Sequence, residues 1–127
     1  MEVRRIVIHH SSNDADTFER LMHYWHGTFH YHYFIDKEGN VSQGLSDEEV
    51  GEHVAWKNTG SLGICMCGDY SAGRPPRKQL RAMDKLLEKK LKEHKDCEEV
   101  QPHNHYNKTI CPGDFLTRYI IENYQIG

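Results

Sequence analysis

The chain has 127 residues, the size of one compact domain that can build its own core. Sixteen basic against nineteen acidic side chains leave a formal charge of −3, which gives no electrostatic footprint for nucleic acid. Hydrophobic residues at 37% and charged residues at 28% exclude disordered and collagen-like compositions. The longest apolar runs, such as Ile6-Val7-Ile8 and Ile64-Cys65-Met66-Cys67, fall far short of the roughly 18 residues of a membrane-spanning helix. What composition leaves unexplained is ten histidines.

Val3 to His9 is β-branched and reads as a buried first strand. After a polar loop, Asp16 reads as a helix N-cap with Glu19 as its capping-box partner. Phe18, Leu21, Met22 and Trp25 then recur on one helical face, and Gly27 can end the helix. Phe29 to Ile35 reads as an aromatic second strand, Asp36 to Asn40 as a turn and Val41 to Gln43 as a short return strand. Ser61 to Gly68 reads as a small, apolar buried strand. Gly73-Arg74-Pro75-Pro76 feeds the longest helix, about Arg77 to His94, with Leu80, Met83, Leu87 and Leu91 as its core seam. The other face of that helix is mostly Lys and Arg and reads as solvated, with attraction to anionic polymers as the sharper alternative. Glu98 to Pro102 reads as a last strand, and Asp114 to Tyr124 as a last helix. Strands alternating with helices predict a single α/β domain over 1–127, a central mixed β-sheet flanked by helices.

No charged segment followed by an apolar one opens the chain, so no secretory signal is expected. The cysteines at 65, 67, 97 and 111 then read as thiols or metal ligands rather than disulfides. Catalytic zinc sites use three His, Cys or carboxylate ligands and leave one position open. Two segments offer such donors: the end of the first strand, His9-His10, and the stretch from His103 to Cys111. The eight-residue spacing of the latter pair matches no short zinc finger. By position alone, His9 reads as a core histidine and Cys111 as a small buried hydrophobe.

Four blocks in order change that weighting: Ile6-Val7-Ile8-His9-His10-Ser11; Tyr31-His32-Tyr33-Phe34-Ile35 with Gly39; Gly51-Glu52-His53-Val54-Ala55 with Asn58, Ser61-Leu62-Gly63-Ile64 and Gly68; and His103 with Cys111-Pro112-Gly113. Together they resemble the type-2 N-acetylmuramoyl-L-alanine amidases, a family that includes phage lysozyme-type amidases and peptidoglycan-recognition proteins. The resemblance implies Zn2+ held by His9, His103 and Cys111, acidifying a bound water to a pKa of about 7. It implies cleavage of the amide joining N-acetylmuramic acid to L-alanine in peptidoglycan. It implies Tyr31 as a catalytic residue and Thr109, where lysozyme-type members carry lysine, as another, with Lys108 beside it. His53 and Asn58 fall where the family's groove would contact substrate. His10, on the opposite strand face, is expected to stay out of the site.

Two departures stand out: His30 replaces the glycine before Tyr31, and the Gly27–His30 segment is short, which reduces one wall of the groove. Cys65 and Cys67 read as core packing. Competing expectations are a non-catalytic peptidoglycan-binding module of the same fold, whose members commonly lose the cysteine, and a small zinc-stabilised regulatory domain. The last requires a closed four-ligand site, with His105 available as the fourth. The resemblance favours a monomeric phage endolysin, made without a signal and reaching the wall through a holin-type pore, over a cytoplasmic enzyme of muropeptide recycling. No nucleic-acid or membrane partner is expected.

Overall fold

A computed structural model describes residues 1–125. Five strands form one sheet: β1 (Arg5–His10), β2 (Tyr33–Ile35), β3 (Val41–Gln43), β4 (Ser61–Met66) and β5 (Glu99–Pro102). Their spatial order is β3-β2-β4-β1-β5. β1 runs parallel to β4 and β5, β2 parallel to β4, and only the β2–β3 hairpin is antiparallel. The helices are α1 (Phe18–Tyr24), α2 (Arg77–Glu93) and α3 (Asp114–Asn123). This is the mixed sheet flanked by helices that the strand–helix alternation predicts. No helix among the described residues is long and apolar enough to cross a membrane.

Period-two alternation divides the sheet's faces. Ile6, Ile8, Tyr33, Ile35, Leu62, Ile64 and Met66 join Leu80, Met83 and Leu87 of α2 and Leu116 and Ile120 of α3 in the larger core. Each such buried side chain contributes about 1.5–3 kcal/mol. Phe34, Cys65 and Cys67 on the other face pack with Phe29 and with Phe18, Leu21, Met22 and Trp25, the face expected of α1. His9, paired in register with Cys65, belongs to this second face.

Three local expectations are corrected. Thr17, not Asp16, caps α1, its side chain accepting from the Arg20 N–H at 3.0 Å. Asn13 first closes a side-chain turn on the Ala15 N–H at 2.9 Å, which delays the helix by one residue. The second strand begins at Tyr33 rather than Phe29. The ladder ends there because the His32 ring takes the Gly63 N–H on its Nδ1 at 2.9 Å, while the His32 N–H still donates to the Gly63 carbonyl at 2.9 Å and its Nε2–H donates to the Glu49 carbonyl at 2.7 Å. Lys90, expected on the solvated face of α2, is buried. Its ammonium binds Asp47 and Glu93, each at 2.9 Å, and lies 4.8 Å from the centre of the Tyr33 ring. Tyr33 Oη–H donates to Asp47 at 2.7 Å and His94 Nε2 lies 2.8 Å from the same carboxylate. Burial opposes ionisation of Asp47, yet these donors outweigh it and hold its carboxyl down to about 2.

Candidate metal centre and groove

Parallel pairing brings the first two donors together. Ile8 lies opposite Pro102 in the β1–β5 register, so His9 and His103, each one step further on, meet at the carboxyl ends of neighbouring strands. Their ring centres are 4.5 Å apart. The chain then makes a short 3-10 turn over His103–His105 and loops back. The Asn104 N–H donates to the Cys111 carbonyl at 3.0 Å, which closes the loop and delivers Cys111 to the two rings. Gly113 anchors the return. It has φ +94, and a Cβ there would stand 1.8 Å from the Tyr70 carbonyl oxygen, so only glycine fits.

His9, His103 and Cys111 each place a ligand atom within 4.8 Å of the others. Cys111 Sγ lies 3.8 Å from His9 Nδ1; ideal tetrahedral zinc would hold N and S about 3.5 Å apart. His103 Nδ1 is buried and has no hydrogen-bond partner among the described residues, an arrangement that is costly unless a cation completes it. Two imidazoles and a thiolate suit zinc. No fourth ligand joins this group among the described residues. His105 is exposed and packs edge-on against Tyr106.

Hydrogen bonds select the ligand atoms. The Ser61 carbonyl can only accept, and His53 Nε2 lies 3.0 Å from it, so His53 carries its proton there. Burial holds His53 down to about 4, against the opposing pull of Ser61, so near neutrality its Nδ1 is an acceptor. His9 Nε2, 2.9 Å away, must then be the donor, which leaves the His9 Nδ1 lone pair facing Cys111. Asn107 does the same for His103. Its Nδ2 donates to the Ala55 carbonyl at 3.0 Å, which turns Oδ1 towards His103 Nε2–H at 2.8 Å. Burial pushes His9 well below the ordinary histidine range, with His53 and His103 adding to the effect. Burial also pushes the Cys111 thiol up to about 11, although the His10 N–H donates to its sulfur at 3.4 Å. A bound cation reverses that preference in favour of thiolate.

The donors open onto a groove that Tyr31, Asn58, Lys108 and Thr109 also line. Tyr31 precedes β2 and is wedged between His9, 5.0 Å from its ring centre, and Trp25, which meets it edge-on. Burial raises its phenol well above the ordinary value, with Cys65 and Cys111 adding to the shift, so it remains a donor at neutral pH. His30 stacks flat on Trp25 at 4.1 Å. The Thr109 hydroxyl accepts from the Cys111 N–H at 3.2 Å and keeps its own proton to donate. Lys108 is exposed at the rim. His10 turns away, its Nδ1 accepting from the Tyr70 N–H at 3.0 Å.

Two expected groove residues have other partners. His53 is buried with both ring nitrogens engaged; a Cβ on Gly63 would stand 2.9 Å from its ring, so that glycine makes its berth. Asn58 Oδ1 accepts from the His53 and Val54 N–H groups at 3.0 and 2.8 Å. The same loop carries a tight turn in which the Val54 carbonyl accepts from the Lys57 N–H at 3.0 Å and Trp56 has φ +70. This is a type II turn with tryptophan where glycine is favoured, at a cost of about 1–2 kcal/mol. Asn107 was missed by sequence reasoning; its only signal is its place one turn after His103.

Comparisons with known proteins identify the family and the fold. A family model described as N-acetylmuramoyl-L-alanine amidase matches residues 1–114. Peptidoglycan-recognition protein SD of Drosophila simulans is 33% identical over 88 residues, 68% of this chain and 47% of that protein; the chain thus spans about half the length of such relatives. An endolysin of Klebsiella phage KP32 is 29% identical over 134 residues, covering 96% of this chain and 88% of the endolysin. Among solved structures, the amidase LysC of Clostridium intestinale superposes with a TM-score of 0.83 at 23% identity, covering 90% of this chain and 78% of that one. Drosophila peptidoglycan recognition protein SD gives 0.81 at 24%, covering 98% and 82%. With its ordered sequence blocks, its sheet and a family match over residues 1–114, the chain belongs to the N-acetylmuramoyl-L-alanine amidase family.

Proposed function

We propose that the chain is a zinc-dependent amidase that hydrolyses the bond between N-acetylmuramic acid and L-alanine in peptidoglycan. The observation that carries this reading is the buried, partnerless His103 Nδ1, grouped with His9 and Cys111 at the floor of an open groove. Family membership supports the substrate class, and the 88% coverage of the phage endolysin supports a role in wall lysis. The open side of the donor group argues against a closed structural zinc site.

When bound, zinc supplies Lewis-acid polarisation of a carbonyl and acidifies water to a pKa of about 7. The chain's own residues do the rest. His53 and Asn107 hold His9 and His103 with Nδ1 forward, so no ring has to reorient during a turnover. The Tyr31 phenol, kept protonated by its burial, donates to the carbonyl oxygen as negative charge develops on it. Thr109 offers a second, uncharged donor. Water is added across the amide, giving a lactyl carboxylate and a free α-amine on L-alanine. Asn58 Nδ2 and Lys108 contact the substrate along the rim.

A wall-binding module without catalysis is the second reading, and the presence of Cys111 beside both histidines weighs against it. The test is release of new N-terminal alanine from purified peptidoglycan, with and without chelator. Zinc-restorable release is expected; binding with no release under any metal condition assigns the binding module.

A further inference from the structure

Trp56 is 98% exposed, so its indole contributes almost nothing to the core. It also occupies the left-handed position of a type II turn, φ +70, where glycine would be free of strain. Folding therefore gains from this residue neither burial nor backbone ease. Strained positions of this kind persist where the surroundings over-determine them, and they cluster at ligand sites. The surroundings here are fixed. Asn107 holds the Ala55 carbonyl at 3.0 Å, Asn58 holds the Val54 N–H at 2.8 Å, and the turn's own bond joins Val54 to Lys57 at 3.0 Å. The chain neighbours Val54, Ala55 and Asn58 line the groove, so the turn that carries the indole borders it.

We infer that Trp56 is a stacking platform for a pyranose ring of the glycan strand, next to the sugar whose lactyl amide enters the groove. A flat, rigid indole matches the axial C–H face of a hexose, and few rotatable bonds have to be frozen on contact. Glu52 and Asn58 at the same rim suit the hydroxyl and acetamido groups at the ring's edge. An interface between copies is a poor fit. One indole buries at most about 250 Å2, well below the roughly 1,200 Å2 of a stable interface. The inference rests on the amidase reading for its substrate class, and its test separates the two.

The probe is the N-acetylglucosamine tetramer, which lacks the scissile amide and so survives contact with the zinc-loaded protein. Titration is expected to shift and quench the tryptophan emission. Trp56→Ala and Trp56→Gly should each weaken binding about three- to tenfold, with Trp56→Phe recovering most of the loss. Trp56→Gly should at the same time melt several degrees higher than the parent, because the turn's strain is relieved. Equal tetramer affinity in parent and Trp56→Gly overturns the platform. So does alanine release from peptidoglycan by a parent that does not bind the tetramer, and this leaves the amidase reading standing. Tetramer binding that depends on Trp56, with no alanine release under any metal condition, supports the platform while refuting the amidase. A Trp56-dependent monomer–dimer equilibrium in sedimentation, with unchanged tetramer affinity, makes the residue a contact between copies and overturns the inference.

Discussion

His53→Leu is the most informative perturbation of the metal centre. Leucine fills most of the imidazole's volume but leaves the His9 Nε2–H and the Ser61 carbonyl, now 2.9 and 3.0 Å from ring nitrogens, with no partner. Each is buried, and an unpaired buried polar group costs about 1–3 kcal/mol. The two groups together cost about 2–6 kcal/mol and the extra apolar burial offsets about 1–2 kcal/mol, so a net loss centred on about 2–3 kcal/mol is expected, read as a melting point lower by about 10 °C. Loss of a residue that orients a ligand also weakens metal binding by about 10–100-fold, or roughly 1.4–2.7 kcal/mol. Metal-free melts give the first number and zinc competition against a chromophoric chelator gives the second. Nitrogen-15 spectra should show His9 protonated on Nε2 in the parent and a tautomer mixture in the variant. His53→Gln can accept with its oxygen and donate with its nitrogen, and should restore most of both. If His53→Leu lowers the melting point but binds zinc like the parent, His53 is structural packing and does not select the ligand atom.

Three further outcomes follow from the geometry. Tyr31→Phe should lower turnover by about 10²–10³-fold with zinc stoichiometry unchanged; loss of the metal would make Tyr31 structural. Cys111→Ser should abolish near-stoichiometric zinc and alanine release together, and full activity on cell walls would remove Cys111 from the site. The third concerns acid. Asp47 ionises at about 2 in the fold against an ordinary 3.8, a lowered value. Its contribution is therefore fully present above pH about 4 and is lost as pH falls through about 2. After allowance for solvent screening it amounts to about 1–2 kcal/mol. Asp47→Asn should flatten the melting curve over that window, and an unchanged slope would show that the Lys90 network carries no such linkage.

The strands and the long helix were legible because their burial pattern is written in residue type. β1 and β4 are nearly continuous apolar runs, and α2 repeats its leucines with helical period. The candidate donors His9, His103 and Cys111 could be singled out only through their order among the blocks, since ten histidines make chance pairs common. The second strand was overextended because the ladder ends at His32, whose N–H still pairs with the Gly63 carbonyl while its ring takes the Gly63 N–H, and no propensity records that exchange. Lys90 follows Leu87 by three residues on the core seam, where its charge argued for solvent; Asp47, forty-three positions away in the chain, is what makes burial tolerable. His53 and Asn58 lie in a block that pointed to the groove, but their hydrogen bonds run inward. Trp56 carries no signal in the sequence, because its meaning lies in a backbone angle.

The parallel pairing of β1 with β5 has a consequence for timing. His9 belongs to the first strand of the sheet, whereas His103 and Cys111 follow its last strand, so the candidate ligand set joins positions about a hundred residues apart. Contacts of such long sequence separation form late, after the loop-closure cost has been met. An amino-terminal fragment cut before His103 holds one imidazole of the group, one cut between His103 and Cys111 holds two, and neither has the sulfur. On the proposed zinc reading, the centre cannot form until the chain has been made through Cys111.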